Sequence, residues 1–202
     1  LEDFKIYKYI PKKKYKLPKR LDIIINVCGP NSQYCSKYPE KTKYIRKKIN
    51  QKLLQLAENY HTYKFIYIST IHVYKKSKYI HENSSLNKSN PYALSHINAE
   101  KEVLKLKTRN KKIDLKILRV SNCIGFPIKK NSSCWTLIVN NLCKELIRKN
   151  VITIRSTINE YRDFISISDL CHVIYFFINQ KVTKRIIFNI SSEKTISILN
   201  LS

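Results

Sequence analysis

Residues 21–27 read L-D-I-I-I-N-V, and this run limits the architecture more than any other stretch. A nearly unbroken apolar segment rich in β-branched residues suits a strand covered on both faces, as in a parallel sheet. Three later segments share that character: residues 65–68 (F-I-Y-I), residues 111–120 (K-K-I-D-L-K-I-L-R-V) and residues 186–190 (I-I-F-N-I). Helical patterns separate them. Over residues 40–60, Ile45, Ile49, Leu53, Leu56 and Ala57 form one apolar stripe. Leu137, Ile138, Leu142, Leu146 and Ile147 give residues 136–149 an apolar face, and Ser168-Asp169 caps a helix through Phe177. A short strand is expected over residues 151–155, and a helix start at Thr195. Strands alternating with helices predict an α/β fold with a parallel sheet flanked by helices.

The chemistry concentrates between Ser69 and Glu100. The strand at 65–68 runs into S-T-I-H-V-Y (69–74), a polar loop follows, and N-P-Y-A-L-S-H-I-N-A-E (90–100) opens a helix. Asn90 is a suitable cap and Pro91 a suitable first helical residue. Four residues apart, Tyr92 and His96 share one helical face. A hydroxyl at a strand end, facing a phenol with a basic neighbour, is a proton-transfer arrangement: the phenol exchanges the proton, the hydroxyl shares it, and the base stabilises phenolate.

Composition bounds the alternatives. With 202 residues, 43% of them hydrophobic, the chain can bury one real core, so one domain is expected. The net charge of +25 invites a nucleic-acid reading, but Lys is spread over nearly every segment and no recognition motif accompanies it, so no nucleic-acid partner is expected. The densest basic run, residues 12–20, reads as a solvated linker, and residues 1–20 give no firm secondary structure. No apolar run reaches the ~18 residues of a membrane span, and no signal-peptide pattern opens the chain. Six cysteines without a C-x-x-C pair read as reduced, mostly packed thiols in a cytoplasmic protein, with no metal site. The chain has no Met and begins Leu-Glu-Asp, so a piece of a longer protein is expected.

Four motifs in order resemble the extended short-chain dehydrogenase/reductase family, the NAD-dependent epimerase/dehydratase group acting on nucleotide sugars. Residues 69–74 are similar to S-[ST]-x-x-V-Y-G, and residues 91–100 to P-Y-x-x-S-K-x-x-x-E. Residues 118–127 (L-R-V-S-N-C-I-G-F-P) are similar to L-R-x-x-N-x-Y-G-P, and residues 162–170 (R-D-F-I-S-I-S-D-L) to R-D-F-I-x-V-x-D-V. The resemblance spans about residues 21–200. It implies a Rossmann-like sheet, with substrate-lobe elements at about residues 126–165, an NAD or NADP cofactor, a nucleotide-sugar substrate and a homodimer when full length. The activity it implies is redox chemistry at a sugar carbon, most readily epimerisation, with a nucleotide-ketosugar reductase or a non-catalytic nucleotide-sugar binder as rivals.

Carried over residue by residue, the family pattern makes Thr70 and Tyr92 catalytic, with His96 in the place of the usual Lys. Tyr92 and His96 would also touch the cofactor, and Thr70 the substrate. His96 either takes over the Lys role, with a shifted pH profile, or marks a weakened enzyme. Gly29 would let backbone approach the cofactor, or serves a plain turn. Asn122 would contact the sugar nucleotide. Trp135 would stack on a sugar or base, or lies in the core. Arg162 would hold a phosphate, or pairs with Asp163. Ile71-His72 stand where the 4,6-dehydratase branch has Asp-Glu, so the acid that expels water in that branch is missing. Residues 46–50 fall where the family shows N-x-x-G-T, without its Gly, and Lys75 replaces the Gly after V-Y. The glycine-rich dinucleotide fingerprint does not occur in the sequence, so the N-terminal βαβ portion of a complete Rossmann domain is expected to be lacking.

Overall fold

A computed structural model describes residues 4–10, 17–154 and 160–201. Four strands form the main sheet: β1 (Ile23–Asn26), β2 (Lys64–Thr70), β3 (Asp114–Val120) and β6 (Ile187–Ile190), in the order β1-β2-β3-β6 and all parallel. Their connections are helical. A short α1 (Ser32–Lys37) and a long α2 (Pro39–Asn59) link β1 to β2, and α3 (Pro91–Arg109) links β2 to β3. The register pairs Phe65 with Ile24 on one side and with Leu115 on the other.

Strand alternation sorts the core into two layers. Phe65, Tyr67, Leu115 and Ile117 point toward α2 and α3, where they meet Leu53, Ala57, Ala99, Val103 and Leu106. Ile66, Leu118 and Val120 point the other way, onto Leu170 and Phe177 of α5 (Ile167–Asn179). Both faces of β2 and β3 are thus covered, the physical reason those strands read as continuous apolar runs. Each such large side chain contributes ~1.5–3 kcal/mol relative to exposure. Tyr9 and Leu17, from the basic N-terminal stretch, also pack on the first layer.

The polar residues inside these strands are paired. Lys64 Nζ donates to the carbonyls of Phe177, Ile178 and Gln180 at 2.7, 2.9 and 2.8 Å, closing the C-terminal end of α5 with a cation. Asp114 Oδ2 lies 3.3 Å from the same ammonium, and Lys116 donates to Asp114 Oδ1.

A second, smaller sheet joins β4 (Asn122–Ile124), β5 (Tyr161–Ser166) and β7 (Thr195–Ser197), with β4 parallel and β7 antiparallel to β5. The R-D-F-I stretch lies on β5 and Asn122 opens β4. One expectation is revised: Thr195–Ser197 is extended, and a short α6 (Ile198–Leu201) follows it. Residues 151–154 have no regular structure, and Arg155 lies outside the described residues, as do residues 12–16 of the expected linker. Between β4 and β5 in the chain, a 3-10 turn (Ser133–Thr136) precedes α4 (Ile138–Lys149), where Leu142 is buried but Leu146 and Ile147 are exposed.

Two further readings are refined. Leu53, Leu56 and Ala57 of the expected α2 stripe are buried and Ile49 packs against the core, but toward the start of the helix the buried positions are Thr42, Arg46 and Asn50, with Ile45 only half-buried. Hydrogen bonds make this polar burial tolerable: Asn50 Nδ2 donates to Ala99 O at 3.3 Å, and Asn50 Oδ1 accepts from Asn26 Nδ2 at 3.1 Å. Of the six free thiols, only Cys35 is buried, whereas Cys134, Cys143 and Cys171 are exposed on elements flanking the smaller sheet. Among the described residues, no helix is long and apolar enough to cross a membrane.

Candidate active site

The site forms where β2 ends and α3 begins, at the carboxyl end of the parallel strands, where open α/β sheets leave room for ligands. The last residue of β2, Thr70, turns the chain into a 3-10 turn (Ile71–Val73) and accepts the amide of His72 at 3.3 Å. After the polar loop, Asn90 Oδ1 accepts the amides of Tyr92 and Ala93 at 2.9 and 3.1 Å, and Pro91 occupies the first turn. That cap fixes the direction in which Tyr92 leaves the helix. The Thr70 side chain is near enough to the Tyr92 phenol to lower its pKa. The structure thus brings Thr70 and Tyr92 near one another.

Successive turns of α3 stack Tyr92, His96 and Glu100 on one face. The Tyr92 and His96 rings meet edge to face, centroids 4.7 Å apart. Glu100 anchors the far end. It accepts from Ser69 Oγ, from Arg119 Nε at 3.1 Å and from Arg119 Nη2 at 2.6 Å. Arg119 Nη1 donates to Tyr74 Oη at 2.7 Å, and Tyr74 Oη donates to Asn189 Oδ1 at 2.6 Å. This buried ion pair and its hydroxyl partners bind α3, β3 and β6 together beneath Tyr92. Isolated breakage of such a pair costs ~3–5 kcal/mol, so the platform is rigid.

His96 departs from the charged role considered for it. It is 5% exposed, and its Nδ1 is engaged with Tyr67 Oη at 2.9 Å. Burial pushes its pKa well below the ordinary histidine value, with the charges of Arg46 and His72 adding to the effect. It is a neutral imidazole at neutral pH and cannot supply the positive charge of a Lys. Nε2 is buried and has no hydrogen-bond partner, so no ligand reaches it in this arrangement.

Electrostatically, the phenol is pulled two ways. Burial pushes the Tyr92 pKa above its usual value, and the Arg46 guanidinium beside it pulls back, as does the Thr70 hydroxyl; Cys35 adds a small upward push. Arg46 is 4% exposed, and its guanidinium carbon lies 5.8 Å from the Tyr92 ring centroid. It donates to Ser95 Oγ at 2.9 Å, Pro30 O at 2.8 Å and Cys28 O at 3.5 Å. Nothing in the hydropathy pattern marks this residue. Its one trace in the sequence is that it begins the segment that lacks the N-x-x-G-T pattern.

The remaining candidates are dispersed. Gly29 does allow a close approach, but by protein: a Cβ there would lie 2.2 Å from Arg46 Nη1. The other side of its loop borders an open groove of about 650 Å³ lined by Val27, Cys28, Pro30, Tyr34 and Ile49. Asn122 Nδ2 donates to Asp163 O at 2.9 Å, joining β4 to β5. Arg162 pairs with Glu160 at 2.9 Å rather than with Asp163, which instead accepts from the amide and hydroxyl of Ser192. The Arg162 charge still reaches His72, whose ring centroid is 6.2 Å from that of Tyr92. Trp135 is half-buried, donates Nε1 to Lys129 O at 3.2 Å and meets Phe126 edge to face, so it is neither a core residue nor in contact with Tyr92 or His96 among the described ring pairs.

A parallel sheet flanked by helices defines a Rossmann-like α/β protein, with Thr70 and Tyr92 at the carboxyl edge of that sheet. The model of the NAD dependent epimerase/dehydratase family matches residues 13–191, and the chain belongs to that family. Solved structures agree in fold. UDP-glucuronic acid 4-epimerase from Bacillus cereus, in complex with UDP-glucuronic acid and NAD, superposes with a TM-score of 0.76 at 22% identity, over 89% of this chain and 57% of that one. The NAD-dependent NDP-hexosamine 5,6-dehydratase TunA of tunicamycin biosynthesis gives 0.77 at 20% identity, over 89% and 58%. L-threonine dehydrogenase from Phytophthora infestans gives 0.78 at 15% identity, over 89% and 59%. The chain therefore spans less than two thirds of the length of these relatives. A comparison with curated protein sequences returned no match.

Proposed function

We propose that this chain carries the acid–base half of an NAD(P)-dependent nucleotide-sugar epimerase. The observation that carries the reading is the Thr70–Tyr92 hydroxyl pair at the carboxyl edge of the sheet, held by the Asn90 cap and the Glu100–Arg119 platform. Support for the substrate class comes from the family and from relatives solved with UDP-glucuronic acid or UDP-glucose.

The residues present fit the nicotinamide end of a dinucleotide. The Thr70 and Tyr92 hydroxyls at the carboxyl edge of the sheet are a donor set that suits a ribose and a reacting sugar oxygen. Tyr92 and Thr70 would hold that end. When bound, the nicotinamide supplies the acceptor for a hydride from the sugar carbon. Tyr92 removes the proton from the sugar hydroxyl, and Thr70 shares that proton through its own hydroxyl. Tyr92 returns the proton when the keto sugar is reduced from its opposite face. Arg162, 30% exposed in its side chain, stands near His72 at the rim and would meet a phosphate.

The test is a turnover assay of the gene product with NAD(P) and UDP-, GDP- or dTDP-sugars, product epimers being resolved by NMR. Tyr92→Phe is expected to lower turnover ~10²–10⁴-fold, the usual scale for loss of a general acid–base. Net consumption of NAD(P)H would make the protein a ketosugar reductase. Sugar-nucleotide binding without turnover, unchanged in Tyr92→Phe, would make it a binder.

A further inference from the structure

We propose that Arg46 is the positioning cation of this site: its guanidinium, reaching over from α2, stabilises the Tyr92 phenolate in place of a charge at position 96. The inference rests on the acid–base reading of Tyr92 given above.

Three features of the geometry carry it. First, Arg46 is buried, yet its partners are neutral: the Ser95 hydroxyl, two carbonyls and the nearby Tyr67 phenol, which burial pushes far above its usual pKa and so keeps protonated. No carboxylate pairs with it among the described residues. A buried cation is costly unless an anion forms beside it. Second, the group able to become that anion is at hand, since the guanidinium carbon is 5.8 Å from the Tyr92 ring. Third, Arg46 is tied to the same turn of α3 as Tyr92. Ser95 Oγ accepts from Arg46 Nε at 2.9 Å and donates to Tyr92 O at 2.8 Å. The distance from charge to phenol is therefore fixed by a hydrogen-bonded relay rather than by a mobile side chain.

Two neighbours compete for the role and lack the means. His96 is closer to the phenol ring but neutral and bonded to Tyr67. His72 faces Tyr92 from the other side, but burial and the Arg162 charge lower its pKa, against a smaller opposing pull from Glu160. A guanidinium, unlike an imidazole, carries a permanent charge.

The experiment reads ionisation, not turnover. Difluorotyrosine, whose phenol titrates nearer neutrality than that of Tyr, is placed at position 92 of the full chain, and its fluorine NMR shift is followed against pH. Arg46→Gln keeps hydrogen-bonding capacity and removes the charge; the midpoint is expected to rise by about one to two units, the scale set by an opposite charge at this range. Arg46→Lys restores the charge and is expected to return the midpoint to within about half a unit of the parent. His96→Asn is expected not to raise it. A midpoint that stays put in Arg46→Gln, or a rise of about a unit in His96→Asn, overturns the proposal and leaves Arg46 as a structural clamp between α2 and the turn at Gly29. The His96→Asn arm decides the matter even where Arg46→Gln does not fold. Failure here leaves the turnover test of Tyr92 untouched, so the two readings fall separately.

Discussion

Replacing Lys64 with Met tests whether a single buried ammonium fastens α5 to the sheet. In the native chain its side chain is 3% exposed, and it donates to three carbonyl oxygens at the end of α5 while lying 3.3 Å from Asp114. Met fills similar volume but donates nothing. Three carbonyls lose a charged donor, each such bond being worth ~1.5–3 kcal/mol net. Asp114 keeps Lys116, which limits the damage on the carboxylate side. Partial relaxation of the helix end toward water lowers the simple sum, and the scale for breaking one side of a buried ionic contact is ~3–5 kcal/mol. We therefore expect a loss of about 4 kcal/mol, a large share of the ~5–15 kcal/mol that holds a domain of this size together. In urea, with a slope of ~2 kcal/mol/M, the midpoint should fall by roughly 2 M. Amide exchange should quicken first at Phe177–Gln180, because those residues lose their anchor directly. Lys105→Met, which removes an exposed partner of Glu102, serves as the control and should cost under ~0.5 kcal/mol. A midpoint shift for Lys64→Met no larger than that of the control would refute the reasoning.

Two pH predictions follow from the site. Burial outweighs the pull of Arg46 and leaves the Tyr92 phenol above its ordinary pKa, so the phenolate fraction climbs with pH. Turnover should rise ~10-fold per unit between about pH 7 and 9, and a plateau over that range in a pH–rate profile would contradict it. His96 behaves in the opposite sense. Its folded pKa lies below the unfolded value of ~6.5, so below that pH the unfolded chain takes up a proton that the folded chain refuses. Stability is complete above ~6.5 and should drop by up to ~1.4 kcal/mol per unit as pH falls toward the folded pKa. Urea midpoints of the parent and His96→Gln, compared at neutral and mildly acid pH, should diverge by that slope.

The α/β plan was legible because β2, β3 and β6 bury apolar side chains on alternate faces, and continuous apolar runs record that directly, whereas β1 buries Ile24 but leaves Ile25 exposed, against the two-sided burial its sequence suggested. Thr70 and Tyr92 were legible because a strand end and a capped helix start fix them through local spacing. Position 96 was legible as a departure, but its charge state was not: the imidazole is neutral because Tyr67, Arg46 and sheet burial surround it, and two of those come from distant segments. Arg46 was invisible for a related reason. Hydropathy assigns a basic residue to solvent, whereas Arg46 and its neighbour Asn50 are buried with hydrogen bonds to partners on β1, α3 and the turn at Gly29. The small sheet was missed because three-residue strands such as β4 and β7 are too short to show a period of two.

The contact between Gly29 and Arg46 makes two positions on separate elements into one shared volume. A methyl group at 29 would take the place now filled by the guanidinium. A side chain at 29 is therefore accommodated only if the guanidinium swings aside and gives up its bonds to Cys28 O and Pro30 O. Substitutions at the two positions are coupled: the cost of a β-carbon at the turn depends on the residue carried by the helix, so the two changes do not add independently.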